Sequence, residues 1–322
     1  MLKEDAFSKW GTYKGTQKKP VDFDAFWDQA KYEVERLGID YQLEPIAISS
    51  NQVDCFLLTF VGVGGAKISC QMIRPKKRKS ILPALLQFHG YHANSGDWND
   101  KIALAAEGMF VFAMDVRGQG GLSEDASLIK LATLRGHLIR GVEEGPEKLF
   151  YRSVFQDVYQ LTRIVMGMPE IDSSRLVSYG VSQGGALALV CAALSPLLSH
   201  VFVQYPFLSD YREAYRLGVN QSAYEELTYW FRQRDPRHER EEEIFATLDY
   251  IDIQYLVPRI EGKIYWAMAL DDLICHPKTQ FAVINQAKTI QEISFYPEYG
   301  HEYLPGYQDF IREKLFEREV IL

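Results

Sequence analysis

Cysteine, positive charge and long apolar runs are all scarce in this chain of 322 residues, and each scarcity excludes a class of protein. The four cysteines, Cys55, Cys70, Cys191 and Cys275, form no C-x-x-C pair. We therefore expect buried free thiols in a reduced, cytoplasmic protein rather than a disulfide framework. Because 43 acidic residues outnumber 35 basic ones, neither nucleic acid nor an anionic membrane is an expected partner. Without a run of about 18 apolar residues or an apolar leader after Met1, no membrane span and no secretion signal are expected.

Short apolar runs alternate with helical periods over most of the chain, which has the composition of a globular protein with 47% hydrophobic residues. Some runs are apolar on every side, as in the buried strands of a parallel sheet. The strands predicted in this way are Ala84–Phe88, Met109–Met114, Arg175–Tyr179, His200–Gln204, Lys263–Met268 and Glu292–Tyr296. Strands that alternate with helices predict an α/β fold with a doubly wound, mostly parallel sheet.

An antiparallel hairpin is predicted at the N-terminal edge of that sheet. Its strands, Val53–Phe60 and Lys67–Ile73, are joined by Gly62-Val63-Gly64-Gly65. A dinucleotide-binding loop is the alternative interpretation of such a glycine cluster. The required third glycine is missing and no helix follows, so the pattern favours a turn.

Residues 209–254 depart from the alternation of strands and helices. They are rich in helix formers and include a charged run at residues 232–243. We interpret them as a helical insertion between two sheet strands, in a position that suits a lid or an assembly surface. No repeat or low-complexity linker divides the chain, so residues 1–322 are interpreted as one domain.

The segment Gly180-Val181-Ser182-Gln183-Gly184 fits the pattern G-x-S-x-G. It follows a predicted strand directly and precedes a helix rich in Ala and Leu. A serine on such a sharp strand-to-helix turn needs small neighbours, and the turn exposes its hydroxyl as a nucleophile. The N-terminus of the helix adds positive potential where negative charge develops in acyl transfer. Ser182 is therefore the candidate nucleophile.

A serine nucleophile needs a histidine base and an acid that orients the histidine. In folds of this kind the chain order is Ser, then Asp or Glu, then His. Among the later histidines, His200 begins a strand, His238 lies in the charged run and His276 lies beside the candidate acids. His301 follows the last strand, at the sheet edge where open α/β sheets bind ligands, and is the candidate base.

The acid is expected at the end of the strand before His301. Asp271 and Asp272 both follow the run Lys263–Leu270. Adjacent side chains at a strand end point in opposite directions, so one of the two faces the histidine. Spacing alone leaves the choice open.

Two backbone N–H groups are expected to form an oxyanion hole. One belongs to Gln183, directly after the nucleophile. The other is expected from Tyr91, in the loop that follows the strand ending at Phe88. His89 and His92 have an H-x-x-H spacing found in zinc sites, but no third ligand is close in sequence. No metal or other cofactor is therefore predicted.

These motifs together resemble one family, the acetyl esterases of carbohydrate esterase family 7, which comprises cephalosporin-C deacetylases and acetylxylan esterases. Its three signatures stand here as Arg117-Gly118-Gln119, Gly180-Val181-Ser182-Gln183-Gly184 and His301-Glu302. Supporting segments also match, namely His89-Gly90-Tyr91, Gly96-Asp97-Trp98, Tyr151-Arg152 with Asp157, Pro206-Phe207-Leu208 and Ala269–Pro277. The resemblance runs through nearly the whole chain.

The resemblance implies an α/β-hydrolase fold with a triad of Ser182, Asp272 and His301. The family pattern Gly-Leu-x-Asp falls on Ala269-Leu270-Asp271-Asp272, which selects Asp272 as the acid. Arg117 is structural rather than catalytic in this family.

The resemblance also implies an activity, the removal of acetyl groups from short xylo-oligosaccharides and from cephalosporin C. Tyr91 and Trp98 are candidates for the acyl pocket, with aromatic core packing as the alternative for both. Family members resemble one another in forming compact homo-oligomers, often hexamers, whose active sites face an internal cavity. A general short-chain carboxylesterase is the alternative enzyme, and a non-catalytic binding protein on the same fold is the alternative from another class.

Overall fold

The computed structural model describes residues 3–77, 81–127 and 137–316. Nine strands in this part of the chain form a single sheet. They are β1 Tyr41–Pro45, β2 Val53–Val61, β3 Lys67–Pro75, β4 Leu82–Phe88, β5 Phe110–Met114, β6 Ile171–Val181, β7 Leu198–Gln204, β8 Lys263–Ala269 and β9 Ile290–Tyr296.

Ten α-helices lie between or beside these strands in the described ranges. They are α1 Lys3–Trp10, α2 Phe23–Glu35, α3 Trp98–Ala106, α4 Phe150–Met166, α5 Gln183–Leu194, α6 Tyr211–Arg216, α7 Glu225–Arg234, α8 Glu241–Leu248, α9 Pro277–Ile284 and α10 Tyr307–Phe316. None of the described helices is both long and apolar enough to span a membrane.

The strands lie in the order β1-β2-β3-β5-β4-β6-β7-β8-β9. The pairs β1–β2, β2–β3 and β3–β5 are antiparallel. The other five pairs, from β5–β4 to β8–β9, are parallel. This arrangement confirms the predicted fold class. It also confirms the hairpin, because Val61 pairs with Lys67 across the turn, and Gly64 and Gly65 have positive φ angles of 71° and 81°.

The buried apolar surfaces of the helices fix them against the sheet. All residues of α5 are buried, because this helix packs between α4 and the central strands β4, β6 and β7. The other side of α4 packs against α2. All four cysteines are free and buried, as expected.

Strand β1 was not predicted from the sequence. It has five residues at the edge of the sheet, four of them exposed, and it ends at Pro45. A short edge strand with little buried surface lacks the apolar run that reveals the central strands.

The segment between β7 and β8 is helical, with α6, α7, α8 and several 3₁₀ turns. It contributes Tyr211, Tyr224 and Trp230 to the core as fully buried side chains. Residues 209–254 therefore pack on the rest of the molecule through large aromatic side chains, in addition to presenting their charged run to solvent.

Candidate active site

Ser182 stands alone between β6 and α5, at the tight turn predicted from the G-x-S-x-G motif. Its backbone has φ 56° and ψ −118°, a conformation that costs a non-glycine residue about 1–3 kcal/mol. The end of β7 and the loop after it hold the turn: Ser182 N–H donates to the Gln204 carbonyl at 3.0 Å, and Phe207 N–H donates to the Ser182 carbonyl at 3.1 Å. The side chain is 9% exposed. The surrounding fold thus maintains a strained serine at the carboxyl edge of the sheet.

The two glycines of the motif are required by close backbone packing. A Cβ on Gly180 would overlap the carbonyl group of Gly184, and a Cβ on Gly184 would overlap the carbonyl group of Phe88. Any side chain at either position would therefore push β6, β4 and α5 apart.

Asp272 and His301 meet at the same sheet edge, in the loops that follow β8 and β9. The Nδ1 atom of His301 lies 2.8 Å from Oδ2 of Asp272. The other oxygen of Asp272 accepts hydrogen bonds from the backbone N–H groups of Ile274 and Cys275, each at 2.8 Å. Asp272 is 1% exposed, whereas its neighbour Asp271 is exposed. The structure therefore joins Asp272 to the histidine by a hydrogen bond and places the side chain of Asp271 at the surface.

The hydroxyl of Ser182 points toward a thiol. Its Oγ lies 3.8 Å from Sγ of Cys275. Burial raises the pKa of this thiol well above its usual value, and the nearby Asp272 carboxylate raises it further. The thiol is therefore protonated at neutral pH and acts as a weak hydrogen-bonding neighbour of the serine.

The loop after β4 carries Tyr91 and is held by the ring of His89. Nδ1 of His89 donates to the Gly90 carbonyl at 2.7 Å, and Nε2 accepts from Val116 N–H at 2.9 Å. A backbone N–H can only donate, so this pattern fixes the Nδ1–H tautomer. Burial lowers the pKa of His89, which keeps the ring neutral. With both ring nitrogens bound to backbone, His89 has no lone pair left for a metal.

The family model for acetyl xylan esterases matches residues 4–317. The chain belongs to the acetyl xylan esterase family. This match confirms the predicted family and the enzyme class that comes with it, the carboxylic ester hydrolases.

Two solved structures are similar to this chain over nearly their whole lengths. Acetyl xylan esterase 1 from Thermoanaerobacterium sp. JW/SL YS485 is 42% identical with a TM-score of 0.93, and the match covers 98% of this chain and 99% of that one. An acetyl xylan esterase from Paenibacillus sp. R4 is 30% identical with a TM-score of 0.92, and the match covers both chains completely.

A curated relative is more distant. The acetyl esterase Axe7A of Xylanibacter ruminicola is 24% identical over 286 residues, which are 83% of this chain but 60% of that protein. The chain thus spans about three fifths of the length of this relative.

Arg117, the first residue of a family signature, forms a buried ion pair with Asp157 of α4. Its Nε and one terminal nitrogen lie 2.6 and 2.7 Å from the two carboxylate oxygens. The same terminal nitrogen donates to the Val63 carbonyl at 3.0 Å. Arg117 therefore joins the β2–β3 turn, the loop after β5 and α4, which agrees with the structural role that the resemblance implies.

The remaining predicted residues lie at the starts of α5 and α3 and in the loop after β5. Gln183, at the start of α5, is fully buried, and Gly118 and Gln119 follow Arg117 in the loop after β5. Trp98 begins α3 and packs, half-buried, against the hydrophobic core. The role of Trp98 in the acyl pocket stays a prediction.

Sequence reasoning missed Tyr205, whose ring packs on His301 with the centroids 4.5 Å apart. Its hydroxyl donates to the Glu302 carbonyl at 2.6 Å. The only sequence signal is its position directly after β7, at the sheet edge that holds the other site residues. Tyr205 supports one face of the imidazole.

Three ligating groups lie close together at the site. The donor atoms of Asp272, Cys275 and His301 lie within 4.8 Å of one another, a grouping compatible with a metal ion. Two of the groups are already hydrogen-bonded to each other, and the third carries a proton that burial retains. A cation would have to displace both, so the arrangement suits proton transfer better than metal binding.

A separate cavity of about 620 Å³ lies beside α4 and the β2–β3 turn, with Glu33, Arg117 and Arg152 in its lining. Both arginines are already paired, Arg117 with Asp157 and Arg152 with Glu33. None of the three triad candidates lines this cavity. We therefore locate the candidate site at the strand ends.

Proposed function

We propose that the protein is a serine esterase that removes acetyl groups from small acetylated sugars through an acetyl-enzyme intermediate. The observation that carries the proposal is the strained serine at the β6–α5 turn, on the same sheet edge as a histidine bonded to a buried aspartate. Strain of this kind persists where the surrounding structure maintains it for function.

In the acylation step, Ser182 Oγ attacks the acetyl carbonyl and His301 accepts its proton. The hydrogen bond from Nδ1–H to Asp272 supports this assignment, because it leaves the lone pair on Nε2 for the serine. The hydroxyl turns from Cys275 toward Nε2 when substrate binds, since catalytic hydrogen bonds often form only in the complex. His301 then returns the proton to the sugar oxygen as the alcohol leaves.

The negative oxygen of the tetrahedral intermediate is bound by the N–H groups of Gln183 and Tyr91. Each such donor is worth about 3 kcal/mol of transition-state stabilisation. In the second step a water molecule, deprotonated by His301, attacks the acetyl-enzyme and releases acetate. Asp272 stabilises the imidazolium in both steps.

A short acyl group is favoured by the aromatic packing beside the serine. The rings of Tyr91 and Phe207 lie 6.1 Å apart, and those of Phe207 and Tyr224 lie 4.8 Å apart. Phe207 also donates its N–H to the carbonyl of Ser182. Phe207 thus joins this group of large rings to the backbone of the nucleophile, which supports an acyl pocket sized for acetate rather than for a long chain.

The substrate class follows from the family, whose solved members are named acetyl xylan esterases. We propose acetylated xylo-oligosaccharides as substrates, with cephalosporin C as a second acetyl ester of suitable size. The resemblance also supports a homo-oligomer, a hexamer in many relatives, with its active sites facing an internal cavity. In such an assembly, intact acetylated xylan would reach Ser182 poorly.

A substrate panel tests the proposal. Hydrolysis of 4-nitrophenyl esters from acetate to octanoate would be measured beside acetylated xylose, acetylated oligosaccharides, acetylated xylan and cephalosporin C. We expect kcat/KM to fall steeply beyond the shortest acyl groups, and oligosaccharides to exceed polymer at equal acetyl concentration. Equal rates on acetate and octanoate would indicate a general carboxylesterase, and no hydrolysis would indicate a binding protein. Light scattering measures the mass of the assembly, and a monomer in solution would contradict the proposed homo-oligomer.

A further inference from the structure

The two N–H groups of the proposed oxyanion hole come from different elements of the fold. Gln183 is the first residue of α5, whereas Tyr91 lies in the loop after β4. An oxyanion hole acts only when its donors are held in one geometry before the reaction. Some contact must therefore fix this loop against the start of α5.

The side chains of Gln119 and Gln183 form a reciprocal pair of amides. Nε2 of Gln119 donates to Oε1 of Gln183 at 2.8 Å, and Nε2 of Gln183 donates to Oε1 of Gln119 at 3.0 Å. The Tyr151 hydroxyl donates to the same Oε1 of Gln183 at 2.8 Å. Gln119 also accepts from a backbone N–H, which can only donate, so the orientation of its amide is determined.

This pair of amides reaches both ends of the loop that carries Tyr91. Gln119 Oε1 accepts from His92 N–H at 2.9 Å. Gln183 Nε2 donates to the His89 carbonyl at 3.4 Å. Tyr91 thus lies between two anchored residues, and both anchors converge on the residue that supplies the other N–H.

We infer, on the basis of the proposed function, that Gln119 is the positioning residue of the oxyanion hole. Its described hydrogen bonds run to His92 and Gln183 and not to the reacting atoms, so it acts through them. The last residue of the Arg117-Gly118-Gln119 signature thereby has a role separate from the first. Arg117 joins elements of the fold, whereas Gln119 sets the distance between two N–H donors.

The role requires a side chain that both accepts and donates. A glutamate at position 119 would still accept from His92 N–H and from Gln183 Nε2. Its second oxygen would face Oε1 of Gln183, and two acceptors at hydrogen-bond distance repel each other while the carboxylate is ionised. Gln183 is fully buried, so water cannot replace the lost donor. A protonated glutamate would donate again and restore the pair.

Two variants test this inference, Gln119→Glu and Gln119→Met. Both would be assayed with 4-nitrophenyl acetate from pH 4.5 to 8, and each kcat would be divided by that of the parent at the same pH. A glutamate ordinarily titrates at about pH 4.3, and repulsion by Oε1 of Gln183 raises the pKa of this one into the assayed range. We expect Gln119→Met to lower kcat about 100-fold at every pH with little change in KM, as when one oxyanion donor is lost. For Gln119→Glu we expect a similar loss at pH 8 that shrinks as pH falls.

Dividing the kcat of the variant by that of the parent at the same pH removes the effect of groups that titrate in the same way in both proteins. Within the described residues, the titratable groups near the pair of amides include His89, His92 and Tyr151, and the ring of His137 packs on His92 with the centroids 5.0 Å apart. Burial lowers the pKa of His89 and raises that of Tyr151 well above its usual value. Titrations at the triad affect parent and variant alike. A carboxylate at position 119 would lie beside His92, so the uncharged Gln119→Met variant shows which part of the loss does not depend on that charge.

Tyr151→Phe is the matched control, because it removes the other donor to Gln183 Oε1 without a bond to the Tyr91 loop. We expect it to retain kcat within about threefold, which is less than one hydrogen bond to an oxyanion contributes. A Gln119→Met variant with kcat within threefold of the parent would overturn the inference. So would a loss in Gln119→Glu that stays constant with pH. Should Gln119→Met fail to fold, the pH series of Gln119→Glu is sufficient to test the inference, because each of its kcat values is compared with that of the parent at the same pH.

Failure of the inference can be separated from failure of the proposed function. If the parent does not hydrolyse 4-nitrophenyl acetate, or if Ser182→Ala remains active, the proposed function is wrong. If both behave as proposed while the Gln119 variants keep their turnover, only the role of Gln119 is wrong.

Discussion

Two aspartates, Asp272 in the loop after β8 and Asp252 at the end of the helical insertion, are equally buried, and each accepts three hydrogen bonds. Asp272 is 1% exposed and accepts from two backbone N–H groups and from His301. Asp252 is 0% exposed and accepts from the N–H groups of Asp210 and Gln254 and from the Gln254 amide. Burial and complete hydrogen bonding do not distinguish them.

Their partners do. Asp272 is bonded to a histidine whose side chain is 22% exposed, so its ring can be reached from solvent. Asp252 is surrounded by an amide and by other carboxyl groups. Burial, followed by the neighbouring carboxylate of Asp210, raises the pKa of Asp252 to about 7. The raised pKa of Asp252 therefore belongs to a buried structural contact between segments. The candidate site is recognised instead by its geometry.

The acidic cluster of Asp210, Asp249 and Asp252 joins the insertion to the N-terminal segment. Asp210 accepts from the Tyr13 hydroxyl at 2.5 Å and from the Thr16 hydroxyl at 2.6 Å. Its own N–H donates to Asp252 at 2.7 Å. The two ends of residues 209–254 and the segment before α2 thus meet at one polar joint.

The largest expected effect is a loss of turnover at Ser182, the nucleophile of the proposed triad. Ser182→Ala should lower kcat on 4-nitrophenyl acetate by about 10⁵–10⁶-fold, because no other group can form the acyl-enzyme. The fold should be retained, since alanine fits the strained turn as well as serine. Steady-state assays and thermal unfolding measure the two effects. Activity above a few per cent of the parent would show that another residue is the nucleophile.

Asp272→Asn should be the next most severe change. Loss of the orienting carboxylate can lower turnover about 10⁴-fold in a triad. Asp271→Asn is the matched control, because the neighbouring residue is exposed and is not the one bonded to His301. We expect the control to keep its kcat within about tenfold of the parent, well above the level expected for Asp272→Asn. If Asp271→Asn proved the worse variant, the assignment of the acid would be wrong by one residue.

The sequence predicted these residues where a local signal existed. The apolar runs revealed the central strands, and the turn residues revealed the elbow and the hairpin. Spacing left Asp271 and Asp272 equal, because the burial of one and the exposure of the other depend on the path of the loop after β8.

Contacts between distant segments gave no local signal. Tyr205 packs on His301 although 96 residues separate them in sequence. Gln119 and Gln183 pair across 64 residues. The acidic cluster likewise joins Tyr13 to Asp210, 197 residues apart. Such partners become visible only when the order of the strands is known.

Asp252 is the aspartate with a structural role, so Asp252→Asn should reduce the free energy of unfolding and leave catalysis intact. All three groups bonded to Asp252 are donors, so an amide nitrogen in either orientation would face a donor. One unsatisfied buried group costs about 1–3 kcal/mol of unfolding free energy. Chemical denaturation measures this loss, and kcat of the folded variant should stay within about twofold of the parent. A loss of turnover as large as that of Asp272→Asn would contradict the distinction between the two aspartates.

The smallest effect, Asp249→Asn, tests the acidic cluster by pH. Burial, followed by the carboxylate of Asp252, raises the pKa of Asp249 to about 8, whereas an unfolded aspartate titrates near pH 4. Between about pH 4 and 8 the folded state holds a proton that the unfolded state has released, so the parent loses stability as pH rises through this range. An asparagine stays neutral and avoids that loss. The difference in Tm, variant minus parent, should therefore grow from pH 5 to pH 8 and reach about 2–4 °C.

Thermal unfolding at several pH values measures this difference, with the exposed Asp271→Asn as the reference substitution. A difference that stays constant or shrinks with rising pH would show that Asp249 is ionised in the folded protein.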